Sequence, residues 1–465
     1  MLSLMTPAAS PATLAKQRRL ERLRRAAARA SLANPRNAGL HPEPLVITDN
    51  GAALPAVTAA TSYPCNGPNR GVWHVVGGRY GTGGRIGAGV QDAAGTEINS
   101  YARWEVMADS RYLTARLGPT TTPYRILVDG RYVSLGGTVL GATTGSVDQY
   151  LTLDFGTRSV RRIAIEATRT GKLAGGFVED GAALWPVDVS DVPHGVFLGD
   201  SYVFGSGPSL AADGVAVQMA DRMGLALQAS GSGGTGWNQT ATTVLRFDQR
   251  IAGGDLTRAY HAPEVVFLHA SVNDALPAQN YATVQANALT GLRAARAQLP
   301  GVPIVVFGCV AAPNRVAAQV TACEAAVAAA VAAFADPLCR FVPVDGDPSG
   351  KWISGLGSEI RFTAPLANAT AATLATPWPA GTSATNYTVV FADGSTRVAS
   401  LTQNGTAATW SGAVTAGATA MVRQVEGNAR FTMGADWVHP SNYGAAYLGE
   451  RYARAALAAL ESMLG

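Results

Sequence analysis

The sequence predicts an α/β protein in which a parallel sheet, covered by helices on both faces, follows an all-β region and carries a small β-rich insertion. Residues 45–190 contain short β-rich segments separated by turn signals such as Asp129-Gly130. From about residue 194, strand-like and helix-like segments alternate, which is the pattern of a parallel sheet. Residues 358–430 are rich in Thr, Ala and Gly, and they are too many for an unstructured loop.

Composition limits the class of protein. The 465 residues are 47% hydrophobic and 15% charged, which excludes general disorder. The net charge is +4, but residues 14–32 hold seven basic residues and one acid, so the remainder is not basic and we expect no nucleic-acid partner. No segment reaches about 18 apolar residues, so we expect no membrane partner. No signal-peptide pattern is recognisable, and we expect a cytoplasmic protein by default, or a virion-associated one if it is phage-encoded.

Residues 1–44 are predicted to form a separate basic helix. Their Ala- and Arg-rich sequence favours helix, with Leu20, Leu23, Ala27 and Ala30 near one face. A solvated helix or tail is one interpretation. A helix for homo-oligomer formation or virion attachment is a second, and an Arg-rich transit peptide is a third.

The remaining domain boundaries follow from changes in the sequence pattern along the chain. Residues 45–190 are predicted to form a jelly-roll-like β-sandwich, because strands of this length and spacing are typical of sandwiches. Residues 191–465 are predicted to form the α/β domain, with residues 358–430 inserted as antiparallel strands. The spacing of Cys65, Cys309, Cys323 and Cys339 matches no zinc pattern, and buried thiols are favoured over a disulfide. We expect no metal and no cofactor.

Two short motifs carry the chemistry. In FLGDSYVFGSG, a predicted strand delivers Ser201 to a sharp turn at the carboxyl edge of the sheet, where open α/β folds bind their ligands. A serine hydroxyl needs a base within hydrogen-bond reach to act as a nucleophile. In DWVHPS, Asp436 stands three residues before His439, a spacing that lets the carboxylate orient the imidazole. These residues are the candidate catalytic triad.

The two motifs, in this order, resemble the SGNH (GDSL-like) hydrolase family over about residues 194–355 and 430–465. The resemblance implies a three-layer α/β/α fold and two further site residues. QASGSGGTGW resembles the block that supplies a glycine N–H, for which Gly233 fits best and Gly234 next. HASVND resembles the block that supplies Asn273, with Ser271 where the family usually has glycine. The implied oxyanion hole is the Ser201 N–H, the Gly233 N–H and the Asn273 amide.

Other notable residues have simpler interpretations. Asp200 and Asp274 are expected to be structural carboxylates, and His194 and His269 are expected to be packed histidines. Three tryptophans are expected either to line a sugar cleft or to lie in the core, and they are Trp237, Trp352 and Trp437.

The resemblance implies ester hydrolysis through an acyl-enzyme. A β-sandwich followed by such a hydrolase domain resembles carbohydrate esterases, so we expect O-deacetylation of a glycan or polysaccharide. The basic helix and the Thr- and Gly-rich insertion resemble phage tail esterases in general sequence character, although not in a motif. One alternative is a short-chain lipase or thioesterase, and another is a virion adhesion module whose hydrolase fold is inactive.

Overall fold

The structure is a computed structural model. It describes residues 11–34, 36, 39–43, 45–58, 61–66, 69, 71–80, 85–87, 101–141, 147–168, 171–240, 244–258, 261–276, 279–313, 315, 317–354, 356–361, 370–373, 387–391, 396–401, 406–410, 420–425, 428–434 and 438–465.

Eight helices lie in these residues. They are α1 (Pro11–Ala33), α2 (Ser201–Phe204), α3 (Val215–Met223), α4 (Phe247–Ala252), α5 (Tyr281–Gln298), α6 (Ala317–Phe334), α7 (Ala429–Thr432) and α8 (Asn442–Leu464).

The first strands of the chain form one antiparallel sheet of eleven strands, ordered β4-β5-β10-β6-β9-β7-β8 with four further strands paired off this path. They are β1 (Val46–Asp49), β2 (Thr61–Pro64), β3 (His74–Val76), β4 (Arg79–Tyr80), β5 (Ile86–Gly87), β6 (Tyr101–Leu117), β7 (Arg125–Val128), β8 (Arg131–Tyr132), β9 (Gln149–Thr168), β10 (Lys172–Val178) and β11 (Leu184–Trp185).

This antiparallel sheet confirms the predicted all-β architecture before the α/β part. The long strands β6 and β9 pair along most of their length, and other strands add to both ends of the pair, so the hydrogen bonding is continuous. One apolar core, which includes Trp73, Trp104 and Leu153, lies inside. The Asp129-Gly130 turn joins β7 to β8 with positive φ at both residues, as the sequence predicts for a tight hairpin.

The next five strands form a parallel sheet in the order β13-β12-β14-β15-β16. They are β12 (His194–Gly199), β13 (Ala226–Gly231), β14 (Val265–His269), β15 (Ile304–Phe307) and β16 (Cys339–Val342). All four strand pairs are parallel. The second strand in sequence lies on one side of the first and the third lies on the other, so the topology reverses between β12 and β14. Ligands bind at such a switch point, beyond the carboxyl ends of the strands.

Helices flank this sheet, as predicted for a three-layer fold. One group consists of α1, α3 and α8, which contact one another, and the other consists of α4, α5 and α6. By length and composition, α6 could cross a membrane. Val320, Cys323, Val327 and Ala330 of α6 nevertheless belong to the core around the parallel sheet.

The basic helix α1 packs on the α/β part. Leu20, Leu23, Ala26 and Ala30 are buried, so the buried stripe includes Ala26, whereas the half-buried Ala27 lies at its margin. The Arg22 guanidinium is 3.1 Å from the Glu264 carboxylate, and other arginines of α1 reach Asp191 and Glu461. The apolar stripe of α1 is therefore covered within the same chain, and homo-oligomer formation or virion attachment through this helix stays a prediction.

Partly buried ion pairs connect the antiparallel sheet, and the segment after α1, to the part of the chain that contains the parallel sheet. Asp213, just before α3, accepts from Arg125 at 3.0 Å, and Asp221 of α3 accepts from Arg36 at 2.7 Å. Arg103 of β6 also reaches Asp221, at 3.4 Å. The four cysteines are buried free thiols.

The last six strands form a separate antiparallel sheet in the order β17-β22-β19-β20-β21-β18. They are β17 (Leu356–Arg361), β18 (Ala371–Thr373), β19 (Tyr387–Phe391), β20 (Thr396–Leu401), β21 (Ala407–Trp410) and β22 (Ala420–Val425). The predicted β-rich insertion is confirmed as this sheet.

Candidate active site

Ser201 lies where β12 ends at the carboxyl edge of the parallel sheet. It is the first residue of α2 and is 5% exposed. The Asp200 carboxylate caps α2 by accepting from the Tyr202 N–H at 2.9 Å, so Asp200 braces the turn as expected. A Cβ at Gly199 would lie 2.4 Å from Val203 and 2.5 Å from His269 Nε2, so only glycine fits this turn. The sequence thus forces a sharp change of direction immediately before the candidate nucleophile.

A fully buried arginine fixes the strand ends beneath the turn. Arg250 donates to the Gly199 carbonyl at 2.9 Å and to the Ser230 carbonyl at 2.7 Å. Its Nε donates to Asp255 at 3.0 Å, and neither side chain of this ion pair is exposed. Sequence analysis missed Arg250, because a charged residue on an amphipathic helix gives no sign that it will be buried.

The second loop brings Gly233 beside Ser201. A Cβ built on Gly233 would lie 3.8 Å from the Ser201 Cβ, and Gly233 itself is exposed. The loop is tied down at its start, where the Ser232 N–H donates to the Gly199 carbonyl at 3.0 Å. Gly233 is therefore close enough to Ser201 to contact a bound acyl group, and its role as an oxyanion donor stays a prediction.

The third loop carries Asn273 in a short 3-10 turn after β14. Its side-chain Nδ2 donates to the Thr235 carbonyl at 3.0 Å, which connects it to the loop of Gly233. A carboxamide nitrogen has two hydrogens, so one remains for a developing oxyanion. The turns that follow β12 and β14 thus flank the switch point between these strands.

Ser271 joins these loops. Its hydroxyl lies 2.6 Å from the Asp200 carboxylate and 2.8 Å from the Thr235 carbonyl, and it accepts from the Asn273 N–H at 3.1 Å. The side chain is completely buried. The departure from glycine at this position therefore adds a connection between the turns of Ser201 and Asn273, which sequence analysis did not foresee.

The carboxylates near the turn have opposite shifts in pKa. Burial alone would raise the pKa of Asp200, but the neighbouring His269 ring and hydrogen bonds from Ser271 and the Tyr202 N–H outweigh it and lower the pKa. For Asp274, burial dominates and raises the pKa to about 7, against hydrogen bonds from the Trp237 and Asn238 N–H groups. Both side chains hold backbone N–H groups in place, as structural carboxylates do.

His439 lies in the turn before α8, packed against the Ser201 turn. The Tyr202 and His439 rings are 6.2 Å apart, and the Tyr202 hydroxyl donates to the Val438 carbonyl. Gly207 has a φ of 103°, and a Cβ there would lie 2.8 Å from the His439 Cβ. Residues that follow Ser201 therefore support the His439 loop. Asp436 lies outside the described residues, so its place beside His439 stays a prediction.

The remaining candidates pack in the core or near the site. His269 is buried and its Nε2 accepts from the Asp200 N–H at 3.2 Å, as expected for a packed histidine. Trp237 and Trp352 are buried, so they do not line a sugar cleft, and Trp437 lies outside the described residues. Arg315, which sequence analysis missed, donates to the Val272 carbonyl at 3.1 Å beside Asn273.

Three solved structures illustrate what the chain is similar to. The salicylyl-acyltransferase SsfX3 from a tetracycline biosynthetic pathway is 17% identical, with a TM-score of 0.47, over 61% of this chain and 84% of that chain. A family two carbohydrate esterase from Cellvibrio japonicus is 14% identical, with a TM-score of 0.46, over 66% and 92%. Another, from Clostridium thermocellum in complex with cellohexaose, is 14% identical, with a TM-score of 0.42, over 53% and 82%.

Sequence comparison gives a family match for part of the chain. No curated protein matches the chain. The model of the GDSL-like Lipase/Acylhydrolase family matches residues 197–365, which contain the turn of Ser201, the loop of Gly233 and the turn of Asn273. Residues 197–365, which make up most of the parallel-sheet part, are therefore similar to the GDSL-like lipase/acylhydrolase family.

Proposed function

We propose that this protein is a serine esterase that removes acyl groups, above all O-acetyl groups, from a carbohydrate or polysaccharide. The observation that carries the proposal is the convergence of three loops at the carboxyl edge of the parallel sheet. Ser201 begins α2 there, Gly233 adjoins it, and the His439 turn packs against Tyr202. This arrangement offers a nucleophile, a source of N–H donors and a base on separate, well-supported turns.

In the proposed reaction, the Ser201 oxygen attacks the ester carbonyl carbon and its proton passes to His439. The Ser201 N–H, the Gly233 N–H and the Asn273 amide stabilise the oxyanion, each donor contributing about 3 kcal/mol in typical cases. His439 then protonates the departing sugar oxygen, which leaves an acetyl-serine. Water attacks this second ester as His439 takes its proton, and His439 then returns that proton to the Ser201 oxygen as acetate leaves. Asp436 orients His439 and stabilises its charged form.

The choice of a glycan ester rests on domain architecture. An antiparallel β domain before a GDSL-like hydrolase domain resembles the arrangement in carbohydrate esterases. A polymer also needs more contact length than one catalytic turn offers, and a neighbouring domain can supply it. The competing substrate class is a short acyl ester or thioester without a sugar. We propose no catalytic metal, since the turns of Ser201, Asn273 and His439 and the loop of Gly233 supply every group that the proposed reaction uses.

The test replaces Ser201 by alanine. Ser201→Ala should lower the rate on p-nitrophenyl acetate by at least about 10³-fold, because triad members act as a unit. Ser209→Ala is the matched control, since this exposed serine lies eight residues further on. Retention of more than a few per cent of the wild-type rate by Ser201→Ala would rule out Ser201 as nucleophile. Circular dichroism should show the same fold for both variants.

Two further measurements test the substrate. The wild-type protein should release more acetate than Ser201→Ala from at least one member of a panel of acetylated polysaccharides. A series of p-nitrophenyl esters should show the highest kcat/KM for acetyl. A maximum at longer chains, with no acetate from any glycan, would favour a lipase or thioesterase instead. Absence of activity on every ester would favour the inactive adhesion module.

A further inference from the structure

Three of the six histidines of the chain come together where the eleven-stranded antiparallel sheet meets the parallel sheet. His74 belongs to β3 of the antiparallel sheet, His194 is the first residue of β12, and His261 precedes β14. Ser201 follows the opposite end of β12, about 16 Å further along at roughly 3.3 Å per residue. This histidine cluster is therefore separate from the candidate active site.

The three rings are close enough to share one ion. One ring nitrogen from each residue lies within 4.8 Å of the other two. The His194 and His261 rings are 4.0 Å apart, and the His74 ring is 5.6 Å from His261 and 6.0 Å from His194. Nitrogens bound to one tetrahedral zinc, at about 2.0–2.1 Å from it, are about 3.3 Å apart. Small rotations of the three side chains would bring the ring nitrogens to this spacing.

The hydrogen bonding of His74 fixes which nitrogen faces its neighbours. Its Nδ1 is 3.1 Å from the Glu105 carboxylate, while its Nε2 is buried without a hydrogen-bond partner among the described residues. His194 Nε2 is likewise buried without a hydrogen-bond partner within the part of the chain that the structure describes. A buried ring nitrogen without a partner costs free energy unless something else binds it. A carboxylate behind one ring nitrogen, with the other free to ligate, is a recurring arrangement in zinc sites.

The surrounding charges suit this role. The Glu105 carboxylate lies 2.8 Å from the Arg103 guanidinium, 2.6 Å from the Arg162 guanidinium and 3.1 Å from Nδ1 of His74. Because Nδ1 of His74 contacts this carboxylate, Nε2 is the nitrogen that can bind an ion. Gln228 of β13 is also buried, and it lines the small cavity beside His194 and His261. Neither atom of its carboxamide has a hydrogen-bond partner among the described side chains and backbone, so it could bind a water on the ion.

We propose that His74, His194 and His261 bind one Zn²⁺, which links the antiparallel sheet to the parallel sheet. Three imidazoles with an open fourth position suit Zn²⁺ better than Mg²⁺ or Ca²⁺, which prefer oxygen ligands. The half-buried His194 and His261 leave an entry path from solvent. The role is structural, because the cluster lies at the far end of β12 from Ser201.

Titration of tag-free, EDTA-stripped full-length protein with ZnCl₂ tests the site. Isothermal titration calorimetry should give one ion per chain, and His261→Ala should weaken binding by at least about 100-fold. His41→Ala is the matched control, because His41 is half-buried like His261 and its ring contacts only the Glu43 carbonyl among the described hydrogen bonds. Equal affinity for the wild type and His261→Ala would overturn the proposal, and so would the absence of binding.

Two more readouts keep the proposal testable if a variant folds poorly. Wild-type protein with Co²⁺ should show the intense visible absorption of a tetrahedral site, which Zn²⁺ should displace. Zn²⁺ at a hundredfold excess over its Kd should raise Tm by about 2–5 °C. EDTA should lower Tm without changing the initial rate on p-nitrophenyl acetate. A weak, octahedral Co²⁺ spectrum with an unchanged Tm would contradict the site, and a loss of rate with EDTA would contradict its structural role.

Discussion

At the scale of single residues, the candidate site depends on polar side chains that hold other groups in place. Ser271 is the clearest example, because its buried hydroxyl contacts the turn of Ser201, the loop of Gly233 and the turn of Asn273. A resemblance to a family identifies such a position only as a departure from the usual glycine. Its function becomes clear from the three contacts, which link residues that are far apart in sequence.

Replacing Ser271 by alanine should therefore impair catalysis without abolishing it. The change leaves the buried Asn273 N–H and one Asp200 oxygen without a partner, which costs about 1–3 kcal/mol per unsatisfied group. We expect kcat on p-nitrophenyl acetate to fall about 10-fold, with KM nearly unchanged, because the position of Asn273 matters most in the transition state. Ser271→Thr should recover part of the rate. If kcat/KM of Ser271→Ala falls only because KM rises, Ser271 acts in substrate binding instead.

Asp436→Asn should reduce the rate less than Ser201→Ala does. A carboxylate that orients an imidazole can matter about 10–100-fold less than the nucleophile. Initial rates for Asp436→Asn, His439→Ala and Ser201→Ala, measured on one batch of substrate, give the comparison. No loss for Asp436→Asn would mean that a different group orients His439.

The buried Asp274 should make stability depend on pH. Its pKa is about 7 in the folded protein and about 3.9 in an unfolded chain, so folding favours the protonated form. The stability that this group contributes is present below about pH 4 and is lost as pH rises to about 7. Urea unfolding at several pH values should show this decrease, and Asp274→Asn should show a flatter profile. An identical slope in both proteins would contradict the shift.

At the scale of elements, α1 shows what sequence patterns can and cannot predict. Its helical character and its apolar stripe were both predictable from the Ala- and Arg-rich sequence. Its partner was not, because an apolar stripe fits an intramolecular groove and an intermolecular one equally well. The arginines of α1 suggested an exposed tail, yet several of them pair with carboxylates of the α/β part.

Two leucines of α1 provide a matched test of this packing. Leu23 is buried, whereas Leu14 is 42% exposed on the same helix. Leu23→Ala should lower the free energy of unfolding by about 2–5 kcal/mol, as is usual for a buried leucine. Leu14→Ala should change it by less than about 0.5 kcal/mol. Equal effects in chemical denaturation would mean that α1 is detached in solution.

At the scale of the whole molecule, the order of motifs was the strongest source of prediction. Alternating strand and helix segments identified the parallel sheet, and the motifs after β12 and β14 fell on either side of its switch point. The histidine cluster lay beyond sequence analysis, since His74 and His194 are in different sheets and only His194 drew attention, as a packed residue. Contacts between domains leave no periodic signal in the chain.

A fragment of residues 190–465 should fail to fold well, because it lacks α1 and exposes the groove between α3 and α8. The Arg29 guanidinium donates to the Asp191 carbonyl at 2.8 Å, so the end of α1 lies beside the start of the fragment. Residues 11–34 joined to residue 190 by a short Gly/Ser linker should restore solubility. This fusion should hydrolyse p-nitrophenyl acetate while releasing acetate from polymer more slowly than the full chain. Equal rates on polymer would exclude a contribution of the antiparallel sheet to substrate placement.

The contact of α1 with α8 also constrains the order of events during synthesis. Arg24 and Glu461 form an ion pair although 437 positions separate them. At about 5–20 residues per second, a ribosome needs roughly 20–90 s to make the chain between them. During that time the part of α1 that contacts α8 has no partner, although α3 is made earlier, and the parallel sheet cannot complete its outer layer. The nascent hydrolase is therefore assembled only near the end of translation, and α1 is the segment that a chaperone would have to shield.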